Sequence, residues 1–185
     1  MNKITKWIVG ALCAVALLTS TYAADTVATA KTAPAPTTQV DNNWTFSLSG
    51  VGATSTKVSG DSAFGLSLDL GHTGLIGLPV QYGVRQSISY ANLDGSQTLL
   101  TTALYNDWTV FKHKALEVFA GANAALTYGN TTPLWTIAPE AGVRYYVKKD
   151  IALVGRVAYN FDLSNLSQGN KYNSLGYGVG IQFSF

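Results

Sequence analysis

The chain has 185 residues, of which 47% are hydrophobic and only 12% charged, about half the charged share usual in a soluble domain. Ten acidic residues oppose 12 basic ones, and two of the latter, Lys3 and Lys6, lie in a segment expected to be removed. The remainder is neutral, which gives no basic surface for nucleic acid, and no stretch after Ala23 approaches the ~18 continuous apolar residues of a transmembrane helix.

Taken in chain order, Lys3 and Lys6 are followed by an 11-residue apolar run, Ile8 to Leu18, and by Thr21-Tyr22-Ala23. A positive start, a short apolar run and small residues at a cut site predict a secretory signal peptide, residues 1–23. The run is too short to span a bilayer. Cys13 is the chain's one cysteine, and Leu12 before it argues against lipid attachment there. The mature chain therefore has no disulfide or thiol chemistry. Residues 24–43 are rich in Ala, Thr and Pro, including Ala33-Pro34-Ala35-Pro36, and predict a flexible leader with too little apolar content to fold alone. One domain is expected over residues 44–185.

Within that domain the pattern has period two, the signature of strands with one apolar and one polar face. Eight segments emerge. Trp44 to Thr54 sets Trp44, Phe46 and Leu48 against Thr45, Ser47 and Ser49. Ser62 to Gly71 sets Phe64, Leu66, Leu68 and Leu70 against Gly65, Ser67 and Asp69, and Pro79 to Tyr90 sets Tyr82, Val84, Ile88 and Tyr90 against Gly83, Arg85 and Ser87. The fourth, Thr98 to Val110, has Leu100, Leu104, Trp108 and Val110 as its apolar set. Leu116 to Tyr128, Trp135 to Val147 and Ile151 to Phe161 continue the rhythm, and Tyr177 to Phe185 ends it. Segments of 10–13 residues exceed the ~5–6 of ordinary sheets and suit the ~9–11 that a tilted strand needs to cross hydrocarbon.

The aromatic residues sort by height. If odd strands run one way and even strands return, Trp44, Phe46, Tyr82, Trp108, Tyr145, Phe183 and Phe185 collect at the end where the barrel starts. Phe64, Tyr90, Tyr128, Trp135, Tyr159, Phe161 and Tyr177 collect at the other. Leu, Val, Ile and Ala lie between. Two aromatic girdles flanking an aliphatic band are expected of a bilayer-crossing barrel, whereas a lipocalin-like soluble barrel turns its apolar face inward. Gln86 and Asn106 interrupt the apolar face, and a register error or a bulge is the expected cause.

The last strand carries the most specific signal. Tyr177, Val179, Ile181, Phe183 and Phe185 alternate with Gly178, Gly180, Gln182 and Ser184, and the sequence stops on Phe. This ending resembles the strand by which bacterial outer-membrane β-barrels are recognised by their assembly machinery. With the strand number, the alternation and the Gly142 to Val147 stretch GVRYYV, residues 44–185 resemble the small OmpA/OmpX-like barrels of Gram-negative envelopes, in the wider porin family. The resemblance implies an all-β, eight-stranded antiparallel up-and-down transmembrane β-barrel in the bacterial outer membrane. It also implies a monomer among outer-membrane lipids and lipopolysaccharide, with both ends and the leader on the periplasmic side. No peptidoglycan-binding domain follows residue 185, so a wall-tethering role is not implied.

Seven charged residues fall on the inward face: Asp69, Asp107, Glu117 and Glu140, with Arg85, Arg144 and Arg156. Unpaired burial would cost several kcal/mol each, so they should pair. Strand adjacency predicts Arg85 between Asp69 and Asp107, and a second cluster of Glu140, Arg144 and Arg156. Gly65, Gly83, Gly121, Gly142, Gly176, Gly178 and Gly180 share that face and predict a roomy, watered interior. A barrel this size is otherwise filled by its side chains.

Catalysis needs an activated nucleophile with a base beside it. The two histidines, His72 and His113, both map to the periplasmic rim, away from the leaflet where a lipid A-modifying enzyme works. No catalytic set is therefore expected, nor a metal site, nor a cofactor. The outer loops are short, with the single charges Lys57, Asp61, Asp94, Asp162 and Lys171, while Lys112, Lys114, Lys148 and Lys149 make the periplasmic turns basic and suit anionic headgroups. The expected function is a structural or surface role in the envelope. The alternative is a narrow porin-like channel gated by the interior ion pairs. The barrel is expected to close without residues 24–43, so a truncated chain should keep the heat-dependent electrophoretic mobility of a folded barrel.

Overall fold

A computed structural model of the chain describes residues 44–56, 61–74, 79–92, 96–129, 133–164 and 173–185. The signal and leader segments, and Lys57, Asp94 and Lys171, lie outside the described residues. Eight strands run β1 (Trp44–Ser55), β2 (Ser62–Thr73), β3 (Val80–Asn92), β4 (Ser96–His113), β5 (Leu116–Tyr128), β6 (Leu134–Lys148), β7 (Ile151–Asp162) and β8 (Ser174–Ser184). Each pairs antiparallel with the next, and β8 pairs with β1 from Thr45↔Ser184 to Ser55↔Ser174, closing the barrel. Phe185 lies past the strand but still exchanges backbone hydrogen bonds with Trp44.

The alternation sets which face each residue takes. Leu66, Leu68, Leu70, Leu104, Ile137, Leu153, Val157, Val179 and Ile181 all point outward and are 42–72% exposed. Such an aliphatic belt is intolerable in water at this extent and suits hydrocarbon. The aromatic residues flank it. Trp44, Tyr82, Trp108, Tyr145 and Phe183 are exposed at one rim, and Phe64, Tyr90, Tyr128, Trp135, Phe161 and Tyr177 at the other, where Tyr159 packs edge-on against Phe161 with ring centroids 4.8 Å apart.

β4 extends beyond the expected Thr98–Val110 at both ends. A register shift between Thr109 and Phe111 explains the miss at the C-terminal end: one extra residue breaks the period-two pattern, so the strand continues where its alternation stops. The two polar residues on the outer face need no such device. Gln86 keeps its register opposite Thr102 and accepts a hydrogen bond from the Thr102 hydroxyl at 2.7 Å, which in turn meets the Tyr128 hydroxyl at 2.5 Å. Asn106, opposite Tyr82 and two residues from Trp108, sits beside the aromatic girdle. Mutual hydrogen bonding, rather than a bulge, makes Gln86 tolerable facing lipid.

Candidate functional site

The lumen is the site to which the fold directs its chemistry. Its outer half holds a cavity of about 250 Å³ reaching the rim at Ser55, Asp61 and Ser174. Small side chains make its walls, among them Ser87, Ser89, Ala103, Ala125, Thr136 and Ala158. Arg85, Glu140 and Arg156 form its floor.

From that floor downward the seven expected charges form a polar layer. Arg85 Nε meets Asp69 at 3.1 Å, and its terminal nitrogens grip both oxygens of Glu140 at 2.9 and 3.3 Å. Arg156 reaches the same Asp69 from β7, and Ser67 donates to that carboxylate at 2.7 Å. Asn123 adds a 2.7 Å hydrogen bond to Glu140. Deeper, Arg144 bridges Asp107 at 2.6 Å and Glu117 at 2.7 Å, while its Nε donates to Gln182. Glu117 is further held by the hydroxyls of Thr109 and Tyr146.

Two of these pairs, Asp69 with Arg85 and Glu117 with Arg144, are register partners on adjacent strands. The rest cross the lumen. Adjacency alone predicts Arg85 beside Asp107, and Arg144 and Arg156 with Glu140; instead Asp107 is paired by Arg144, Glu140 by Arg85, and Asp69 is shared. An eight-stranded barrel is narrow enough for an arginine to span it, so strand neighbourhood does not limit its choice of carboxylate. The resulting partners give every one of the four carboxylates an arginine contact, at the expense of proximity in the sheet.

Aromatic side chains missing from the sequence reading complete the layer. Phe119 is 1% and Tyr105 5% exposed, both inside the barrel. The Arg144 guanidinium lies 4.1 Å from the Phe119 ring centre and that of Arg85 lies 4.7 Å from Tyr105, the geometry of desolvated cation–π contacts. Gln81 ties the Tyr105 hydroxyl to Thr45. The phase of the alternation marks both rings as inward; their apolar character masks them.

The lumenal glycines therefore do not simply leave space. At Gly142 a side chain would strike the Phe119 ring and the Gly155 carbonyl, and at Gly178 it would press on Arg156 Nε at 3.1 Å. These positions let a ring and a guanidinium lie flat on the wall. Room remains in the outer half, and the lower half is packed: Arg144 is 2% exposed and Asp107 3%.

The other sequence candidates stand away from this layer. His72 is outward-facing at the rim, edge-on to Trp44 at 5.0 Å and tilted against Tyr82 at 5.5 Å. His113 stacks on Phe111 at the end of β4. Tyr177, Val179, Ile181 and Phe183 form the outward face of β8, with Phe185 beyond it, all 41–72% exposed.

Solved structures share this architecture. The Neisserial surface protein NspA superposes with a TM-score of 0.58 at 13% identity, covering 77% of this chain and 96% of that one. The outer membrane protein OprG from Pseudomonas aeruginosa gives 0.53 at 12% identity, covering 78% and 97%. What is shared is the fold, that of the small eight-stranded outer-membrane barrels. The sequence matches no protein-family model, and no curated protein resembles it significantly in sequence.

Proposed function

We propose that the protein is an integral outer-membrane barrel of the bacterial envelope, exported by its signal peptide, with a structural or surface role and a closed lumen. The observation that carries this is the burial of the lumenal charges. Asp69, Asp107, Glu117, Glu140 and Arg144, spread from mid-height down to the level of the Trp108 and Tyr145 girdle, are each 5% exposed or less, whereas the charges lining a conducting pore stay hydrated. The bidentate Arg85–Glu140 grip and the Arg144 bridge join strands that do not touch in the sheet, so the layer braces the barrel as well as blocking it. Neither histidine lines the outer cavity, which supports a non-catalytic reading.

Planar-bilayer recording of the refolded protein tests it. Silence at moderate voltage is expected. Discrete conductance steps that Arg85→Ala or Arg144→Ala alters would overturn the closed lumen in favour of a narrow channel gated by these ion pairs.

A further inference from the structure

We propose that the periplasmic rim at the β4–β5 and β6–β7 turns is a binding surface for the phosphate headgroups of anionic phospholipids. The proposal rests on the membrane reading above and adds a partner to it.

Lys112 precedes the first turn and Lys114 lies in it, Lys148 and Lys149 open the second, and all four are exposed. The turns are joined physically. The Tyr146 N–H donates to the Ala115 carbonyl at 2.8 Å, the Lys112 ammonium lies 5.8 Å from the Tyr146 ring centre, and the Tyr146 hydroxyl donates to Glu117. Two lysine pairs are thereby held on one stretch of rim. Lys114 takes a left-handed backbone with φ 51°, which makes the first turn tight.

Depth decides what these ammonium groups meet. Trp108 and Tyr145 belong to the girdle and are 47% exposed, and such rings settle at the membrane–water interface. Lys112 and Lys148 follow them by four and three residues. At about 3.4 Å per residue and a tilt near 40°, with the register shifts in β4 and β6, they stand roughly 5–8 Å beyond the rings. That is the depth of lipid phosphates. Exposed Phe111 and Val147 give the stems of Lys114 and Lys148 an apolar surface to lie on while their charged ends reach the headgroups, and Lys112, opposite Glu117, adds its charge from over the Tyr146 ring at the barrel mouth. Among the described residues Asp150 is the exposed acid in this patch, and Glu117 behind Tyr146 is already held by Arg144, which leaves the four lysines a net positive charge. By sequence the outer loops carry Lys57 and Lys171 against Asp61, Asp94 and Asp162, with no net positive charge, so the attraction is one-sided.

The test uses the refolded chain with Trp7, Trp44 and Trp135 replaced by Phe, leaving Trp108 as reporter, in vesicles containing brominated phosphatidylglycerol or brominated phosphatidylcholine. At low salt, phosphatidylglycerol should associate next to Trp108 about five-fold more strongly, as expected for lysines near an anionic surface. The preference should fall to near unity in K112Q/K114Q/K148Q/K149Q and in ~1 M salt, where screening acts within about 3 Å. K114Q/K149Q should halve it and serves if the fourfold variant does not refold. Equal quenching by both lipids, or a preference that survives these substitutions, overturns the site. Quenching by neither lipid overturns the membrane reading itself. A preference seen equally in a chain keeping only Trp135 also overturns the site, because it removes the one-sidedness.

Discussion

Replacing Arg144 by Met is expected to destabilise the barrel by about 3–5 kcal/mol, the cost of leaving buried charge uncompensated. Arg144 bridges two carboxylates, Asp107 at 2.6 Å and Glu117 at 2.7 Å, both nearly inaccessible to water. Arg85→Met should cost less. Asp69 would keep Arg156 and Ser67, and Glu140 would keep Asn123. The measurement is a urea titration followed by the electrophoretic mobility of unheated samples. Adding D107N and E117Q to Arg144→Met should recover much of the loss, since amides bury more cheaply than unpaired carboxylates. A midpoint unmoved by Arg144→Met would sink the bracing role of the layer.

The second large effect concerns the outer face. Leu68 is 48% exposed, and in water its replacement by Arg would cost almost nothing. In a bilayer, an arginine at this mid-height position is expected to cost about 2–4 kcal/mol. Thr102 and Gln86 nearby offer hydroxyl and amide groups but no countercharge. Leu68→Arg should therefore lower the urea midpoint in vesicles far more than Leu163→Arg, which sits at the end of β7 near the rim and is also exposed. Equal, negligible effects at the two sites would contradict a lipid-facing surface.

Much of the architecture was legible before any coordinates. The eight strands, the closing β8–β1 seam and the sorting of aromatic residues into two rims follow from period-two alternation, because one misplaced residue would turn a whole strand's apolar face away from lipid. The places where that reading fails are local. The bulge near Thr109 hid the end of β4, since an extra residue resets the phase. Gln86 looked like a fault in the pattern and is satisfied by a neighbour two strands of alternation could not identify.

The sequence by itself determined which residues enter the lumen, including all seven charges, because inward or outward placement depends only on parity along each strand. Who pairs with whom was decided by the tertiary structure. Closing eight strands brings β3 within an arginine's reach of β6, and β7 within reach of β2, distances that no spacing along the chain encodes. The same closure laid Phe119 and Tyr105 against Arg144 and Arg85, and gave the glycines at 142 and 178 their purpose. It also joined two lysine-bearing turns, 34 residues apart from Lys114 to Lys148 in sequence, into one basic rim.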